Sequence, residues 1–170
     1  MKYLYVLLMS SGAIFTQPAG ADAFKNEPAD FRGIEWGAAY ADHADELNLV
    51  RTDNDVLVYI RDSEKGQSAR NSYKKIAYRF YKDRFSAGII QTFGQDAKKR
   101  LRRSLVNNYG EAVRISRRQE LDAWDGEFVQ IVLSCSQTSY CAAEFMSKEM
   151  IALEELETGT PVQVLQKELE

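Results

Sequence analysis

One histidine, two cysteines and three prolines are all that 170 residues contain, and each scarcity removes a class of function. With His43 alone, the chain has no histidine pair for zinc and a single imidazole to serve as general base. No Gly-X-Ser-X-Gly elbow is present, so the usual strand-to-helix serine nucleophile is missing. There is no Walker loop, no dinucleotide-binding glycine pattern and no Cys/His cluster at metal spacing. No cofactor and no metal is therefore expected. Low-complexity runs and Pro/Gly linkers are also lacking, so residues 24–170 read as a single α+β domain long enough to bury a core.

What is present begins with an apolar start. Met1-Lys2 is followed by an almost uncharged run from Tyr3 to Phe15, then by Pro18, Gly20 and Ala21-Asp22-Ala23. The run falls short of the roughly 20 apolar residues that cross a bilayer. Small residues stand at the two positions a signal peptidase reads, which predicts an export signal over 1–23 cleaved after Ala23. No other stretch is long and apolar enough to span a membrane. A periplasmic or extracellular location follows as an expectation.

The centre of the chain has the clearest pattern. Ile76, Tyr78 and Phe80 alternate with Lys75, Ala77 and Arg79, the period of a half-buried strand. Lys82-Asp83 separates this run from Phe85, Ala87, Ile89 and Phe93, which predicts a hairpin without the usual Asn-Gly. Tyr81 and Arg79, on the face away from Tyr78, are expected to be free to contact a partner. From Gln95 the period changes: Ala97, Leu101, Leu105 and Tyr109 recur every four residues on one helical face, stopped near Asn108 and Gly110.

Earlier, Trp36 stands between Gly33 and Gly37 as a buried anchor, and Ala38 to Leu47 reads as a helix. Asp55–Arg61 reads as a strand. Later, short strands are expected at Val113–Ile115, Glu120–Trp124, Phe128–Cys135 and Tyr140–Ser147, with Asp125-Gly126 the cleanest turn signal. Ser147 is placed to cap a last helix that includes Met150, Ile151, Leu153 and Leu156 and ends at Gly159. Residues 160–170 are open to three readings, a loose tail, a strand or a short helix. An antiparallel sheet with packed helices results, in an order compatible with two tandem α-β-β-β units.

Cys135 and Cys141 lie in LSCSQTSYCAAEF. Setting Cys135 opposite Cys141 also sets Leu133 opposite Ala143 and Ile131 opposite Phe145, apolar against apolar. That register predicts a disulfide across the mouth of a five-residue loop, a bond that suits an oxidising compartment.

FRGIEWG, the VYIR-type strand and the YRFYKDRF hairpin together resemble a family of small exported bacterial proteins that opens on an FRGIxWG motif. The resemblance runs from about Phe31 to Gly110. It implies a fold and an envelope location and transfers no catalytic residue.

Two constellations remain to be weighed. Between Lys98 and Arg118 cations far outnumber acids, and Lys98, Lys99, Arg102 and Arg103 form a candidate anion-binding face. The plainer reading is a solvated helix face paired with the acidic second half. Asp42, His43 and Glu46 are close on a helix but are too few for either zinc or calcium. Acids are abundant, yet nothing singles out a glycosidase-type pair. The favoured expectation is a non-enzymatic accessory or binding domain with an envelope protein as partner. It does not bind nucleic acid, and it touches a membrane only peripherally. A carboxylate-based envelope hydrolase and an anionic-surface binder are the competing readings.

Overall fold

The structure is a computed structural model that describes residues 24–64, 75–116, 120–137 and 140–162. The expected export signal at 1–23, the loop 65–74 and the tail from 163 lie outside the described residues.

An eight-stranded antiparallel sheet forms the body, in the spatial order β3-β4-β5-β6-β10-β9-β8-β7. Its strands are β3 (Leu47–Asp53), β4 (Val56–Arg61), β5 (Lys75–Tyr81), β6 (Arg84–Phe93), β7 (Val113–Ser116), β8 (Leu121–Asp125), β9 (Val129–Cys135) and β10 (Tyr140–Ser147). Helix α1 (Gln95–Tyr109) follows β6 and helix α2 (Lys148–Thr158) follows β10. A small hairpin, β1 (Asp30–Phe31) and β2 (Ile34–Glu35), precedes the sheet. The chain is thus two successive four-strand meanders, each ending in a helix, joined where β6 pairs with β10. This α+β architecture keeps the tandem character but reverses the expected order, because strands precede the helix in each unit.

The helix expected over Ala38–Leu47 is a single 3-10 turn, Tyr40–His43, with no side-chain cap. One short turn cannot repay the entropy of helix nucleation. Leu47 instead starts β3 and buries its side chain, opposite Arg61 of β4.

On the first face, Ile76, Tyr78 and Phe80 join Ile131, Leu133, Phe145 and the α1 residues Leu101 and Leu105 in the main core. The alternation of β5 and the four-residue stripe of α1 hold here, but β5 is buried on both faces rather than half-buried. The hairpin between β5 and β6 also forms: Lys82 (φ 46°) and Asp83 (φ 60°) are both left-handed, the conformation a two-residue primed turn requires. Beyond it the reading fails by one residue. A bulge shifts the register between Arg79 and Phe80, so Phe80 faces Phe85 while Arg79 faces Ala87. Phe85 therefore enters the first face and Ala87 and Ile89 the second.

Helix α2 lies across the second face. Ser147 caps it, accepting a hydrogen bond from the Met150 amide at 3.4 Å, and Gly159 ends it in a left-handed conformation (φ 65°). Its buried residues are Met150 and Glu154, whereas Leu156 stands in solvent. Of the apolar residues that marked this helix in the sequence, Met150 is buried, while Leu153 and Leu156 are exposed. Glu154 is drawn inward instead by Arg79, described below.

At the centre of the first face Gly88 lies between Tyr78 on β5 and Phe145 on β10. The Phe31 ring sits directly above it; a Cβ at position 88 would fall 2.2 Å from that ring. Trp36 stacks on Phe85 at 5.3 Å and 9°, and its Nε1 donates to the Pro28 carbonyl at 2.8 Å, so the tryptophan is an anchor as expected.

Gly88→Ala is expected to lose about 3 kcal/mol, the top of the usual range for overpacking, and Phe31→Ala about 3–5 kcal/mol. The glycine change should cost much less in the Phe31→Ala background. Denaturant titration of the four species of this cycle checks it, and additive losses would show that the ring and the glycine are not coupled.

Candidate functional site

The disulfide forms in the expected register. Cys135 pairs with Cys141, Leu133 with Ala143 and Ile131 with Phe145, and the two sulfurs are bonded with Cα atoms 4.1 Å apart. Both cysteines are buried, which suits a structural bond rather than an exchanging one.

The basic face divides in two. Lys98 donates to Glu120, and Arg102 donates to Asp122, which Arg114 also grips from β7. Asp122 is almost wholly buried between these two guanidinium groups. Lys99 and Arg103 stand exposed on the outer side of α1. Half of the proposed anion site is therefore neutralised by acids of β8 and the turn before it, and the remaining pair is carried on one exposed face.

His43 belongs to a different cluster, which sequence pattern did not show. Its Nδ1 lies 3.0 Å from Glu46 Oε1, and Arg61 donates to the same oxygen at 2.8 Å. Arg61 also donates to the Arg32 carbonyl at 2.8 Å and packs over the Tyr78 ring, 5.0 Å from its centroid. The Tyr78 hydroxyl donates to Glu64, which Arg32 holds at 2.6 Å. Arg61 and Glu64 lie close together in sequence, but Arg32 stands 29 and 32 positions before them, so no local spacing could have shown the whole network. The network brings together two carboxylates, a phenol and the only imidazole.

Its electrostatics do not suit Glu46 to act as a general acid. The hydrogen bond from Arg61 holds Glu46 below the ordinary carboxylate value of 4.5, with burial acting the other way and His43 adding to the depression. A general acid at neutral pH needs the opposite shift. Burial, reinforced by Glu64, pushes the Tyr78 hydroxyl well above its ordinary value. The Asp42 side chain takes no part in this network. Among the described residues no group of three His, Cys, Asp or Glu side chains is arranged to hold a metal.

Arg79 and Tyr81 were expected to face a partner. Both are buried against the chain's own α2. Arg79 pairs with Glu154 at 2.6 Å and donates to Ser86 Oγ at 2.9 Å. Tyr81 donates to Glu157 at 2.6 Å, which pushes its hydroxyl up to about 12. The same glutamate pairs with Lys82 at 2.8 Å.

Farther along that face, Gln91 has no accessible surface and neither of its amide atoms has a hydrogen-bond partner. It stands opposite Lys75 on β5 and Ala142 on β10, in line with Ser134 of β9. Among the described residues no helix is long and apolar enough to cross a membrane.

Comparison with protein-family models, with curated proteins and with solved structures returns no match.

Arg79→Ala leaves a buried carboxylate unpaired and is expected to cost about 3–5 kcal/mol, whereas Arg79→Met with Glu154→Leu should cost far less. Equal losses in chemical denaturation would refute the buried pair. Acid titration tests the exposed pairs. Glu46, Glu120 and Glu157 are each held below 4.5, chiefly by Arg61, Lys98 and Lys82 respectively. Their stabilisation is present above the unfolded value of 4.5 and disappears as pH falls through the depressed folded values. The thermal midpoint should decline in that window, and the three Glu→Gln changes should flatten the decline.

Proposed function

We propose that the chain is a periplasmic accessory module, processed after Ala23, that binds an envelope protein without transforming it. The resemblance of its FRGIEWG opening to small exported bacterial proteins supports the location, as does the buried disulfide. The observation that carries the binding reading is a contrast. Of the ionisable groups that sequence singled out for chemistry, Lys98, Arg102, His43 and Glu46 are held in ion pairs within the chain, while large apolar side chains on the sheet's last strand stand in solvent. Val113 is 59% exposed and Ile115 57% exposed on β7, beside Arg114.

The mode of contact follows from the edges. Both outer strands carry a register shift, between Leu49 and Arg51 in β3 and between Arg114 and Ser116 in β7. Such bulges blunt an edge against strand addition. The partner therefore meets the β7 side chains rather than extending the sheet. This modest patch suits a transient or accessory contact.

Crosslinked affinity purification of the processed protein from its own envelope fraction tests the reading. One stoichiometric partner is expected, lost from the Val113→Ser, Ile115→Ser double variant. A partner retained by that variant would place the contact elsewhere. Turnover of an envelope substrate, lost on changing one acid, would replace the reading with a hydrolase.

A further inference from the structure

Lys148, Ile151, Ala152 and Glu155 follow one another along α2 at the i, i+3, i+4 and i+7 spacing of a single helical face. With Met146 of β10 and Gln130 of β9 they line an open groove of about 270 Å³. This is not the face that α2 buries in the sheet, which carries Met150 and Glu154. Charged groups at the two ends of the groove are already engaged. Lys148 donates to the Gly126 carbonyl at 2.6 Å and pairs with Asp125 at 2.7 Å, and Glu155 accepts the Val162 amide at 3.0 Å. An occupant therefore meets mainly the apolar middle, Met146, Ile151 and Ala152, with Leu156 exposed one turn beyond Ala152. The volume falls below the roughly 300–1,000 Å³ of small-molecule sites and suits a few apolar side chains.

The chain itself turns toward this groove. Gly159 ends α2 in the left-handed conformation, and the Val162 amide then reaches back seven positions to Glu155 on the groove wall. Val162 is already half-buried there. The sequence that follows is Gln-Val-Leu-Gln-Lys-Glu-Leu-Glu, in which Leu165 and Leu169 are four apart among good helix formers. Leucines at that spacing share one helical face. So short a helix is marginal in water unless that face is covered. Lengths agree as well. At 1.5 Å per residue the wall from Lys148 to Glu155 is about 10 Å long, as is a helical run from Val162 to Leu169. The same run fully extended would overshoot the groove about twofold. Gly159 to Val162 separate the two segments, within the roughly two to five residues that join antiparallel helices.

We propose that this groove is the seat of the chain's own segment 163–170, which runs back along α2 as a helical turn or two. Leu165 meets Ile151 and Ala152, and Leu169 meets Met146. Attachment three residues away gives the segment an effective concentration on the order of millimolar, so weak apolar contacts suffice to hold it. Neither Val113 nor Ile115 lines the groove, so this assignment and the β7 contact can fail independently.

Nuclear magnetic resonance on the intact chain, with nothing added, tests the proposal. Methyl contacts from Leu165 to Ile151 and from Leu169 to Met146 are expected, together with slow amide exchange over residues 165–169. Leu165→Ser with Leu169→Ser should quicken that exchange by roughly tenfold or more, the effect of uncovering one buried leucine, while β9 and β10 stay protected. Lys167→Gln, on the opposite face of the segment, should change neither reading. Ala152→Trp fills the groove from the α2 side and should release the segment in a chain that remains folded. Should Ala152→Trp fail to fold, the leucine variant decides alone. Fast exchange over 165–169 in the unaltered chain, or exchange unmoved by the two serines, would overturn the proposal. So would methyl contacts that arise only between differently labelled copies, since the segment would then seat on a second chain.

Discussion

The Phe31 ring above Gly88 is the contact on which the two halves of the molecule depend. Strand β6 is the last strand of the first meander and pairs directly with β10, the last strand of the second. The ring sits over that junction and reaches Tyr78 at 5.6 Å in one unit and Phe145 at 5.2 Å in the other. A side chain at 88 would expel it, so the missing Cβ is what lets a residue outside the sheet complete the core. Through Phe31 the β1–β2 hairpin is fixed. Through the hairpin, Arg32 is carried to Glu64 and its carbonyl to Arg61.

Charge is arranged around this core largely in internal pairs. Arg79 reaches Glu154 across the second face, Lys98 and Arg102 of α1 reach acids at β8, and Arg61 reaches Glu46. Each pair ties elements distant in sequence, and the buried ones select one docking of helix on sheet more than they add stability. A carboxylate held low by a guanidinium is a poor proton donor, and the only histidine is engaged by such a carboxylate.

Several elements were legible because their cause is local. Ile76, Tyr78 and Phe80 alternate because one face of β5 is the core, and Ala97, Leu101 and Leu105 repeat because one face of α1 is. The Cys135–Cys141 register followed from matching apolar faces across a short loop. Where reading failed, the deciding group lay far away. The bulge at Ser86 sent Ala87 and Ile89 to the second face. Glu154 is buried on α2 because Arg79, 75 positions earlier, reaches it. Glu27 gave no signal at all, since its partners are three backbone amides 100 to 102 positions later.

By itself the sequence determined the α+β class, the antiparallel strands from β4 onward, α1, α2 and the disulfide. These rest on side-chain periods of two and nearly four and on turn chemistry, which the backbone enforces within a few residues. Tertiary structure alone decided the strand order, with β6 against β10. It also decided the short turn where a helix was expected and the engagement of Arg61, Glu64 and Tyr78 around His43. Those choices depend on packing volume and on burying charges only where a partner is in reach, and both are properties of the assembled chain.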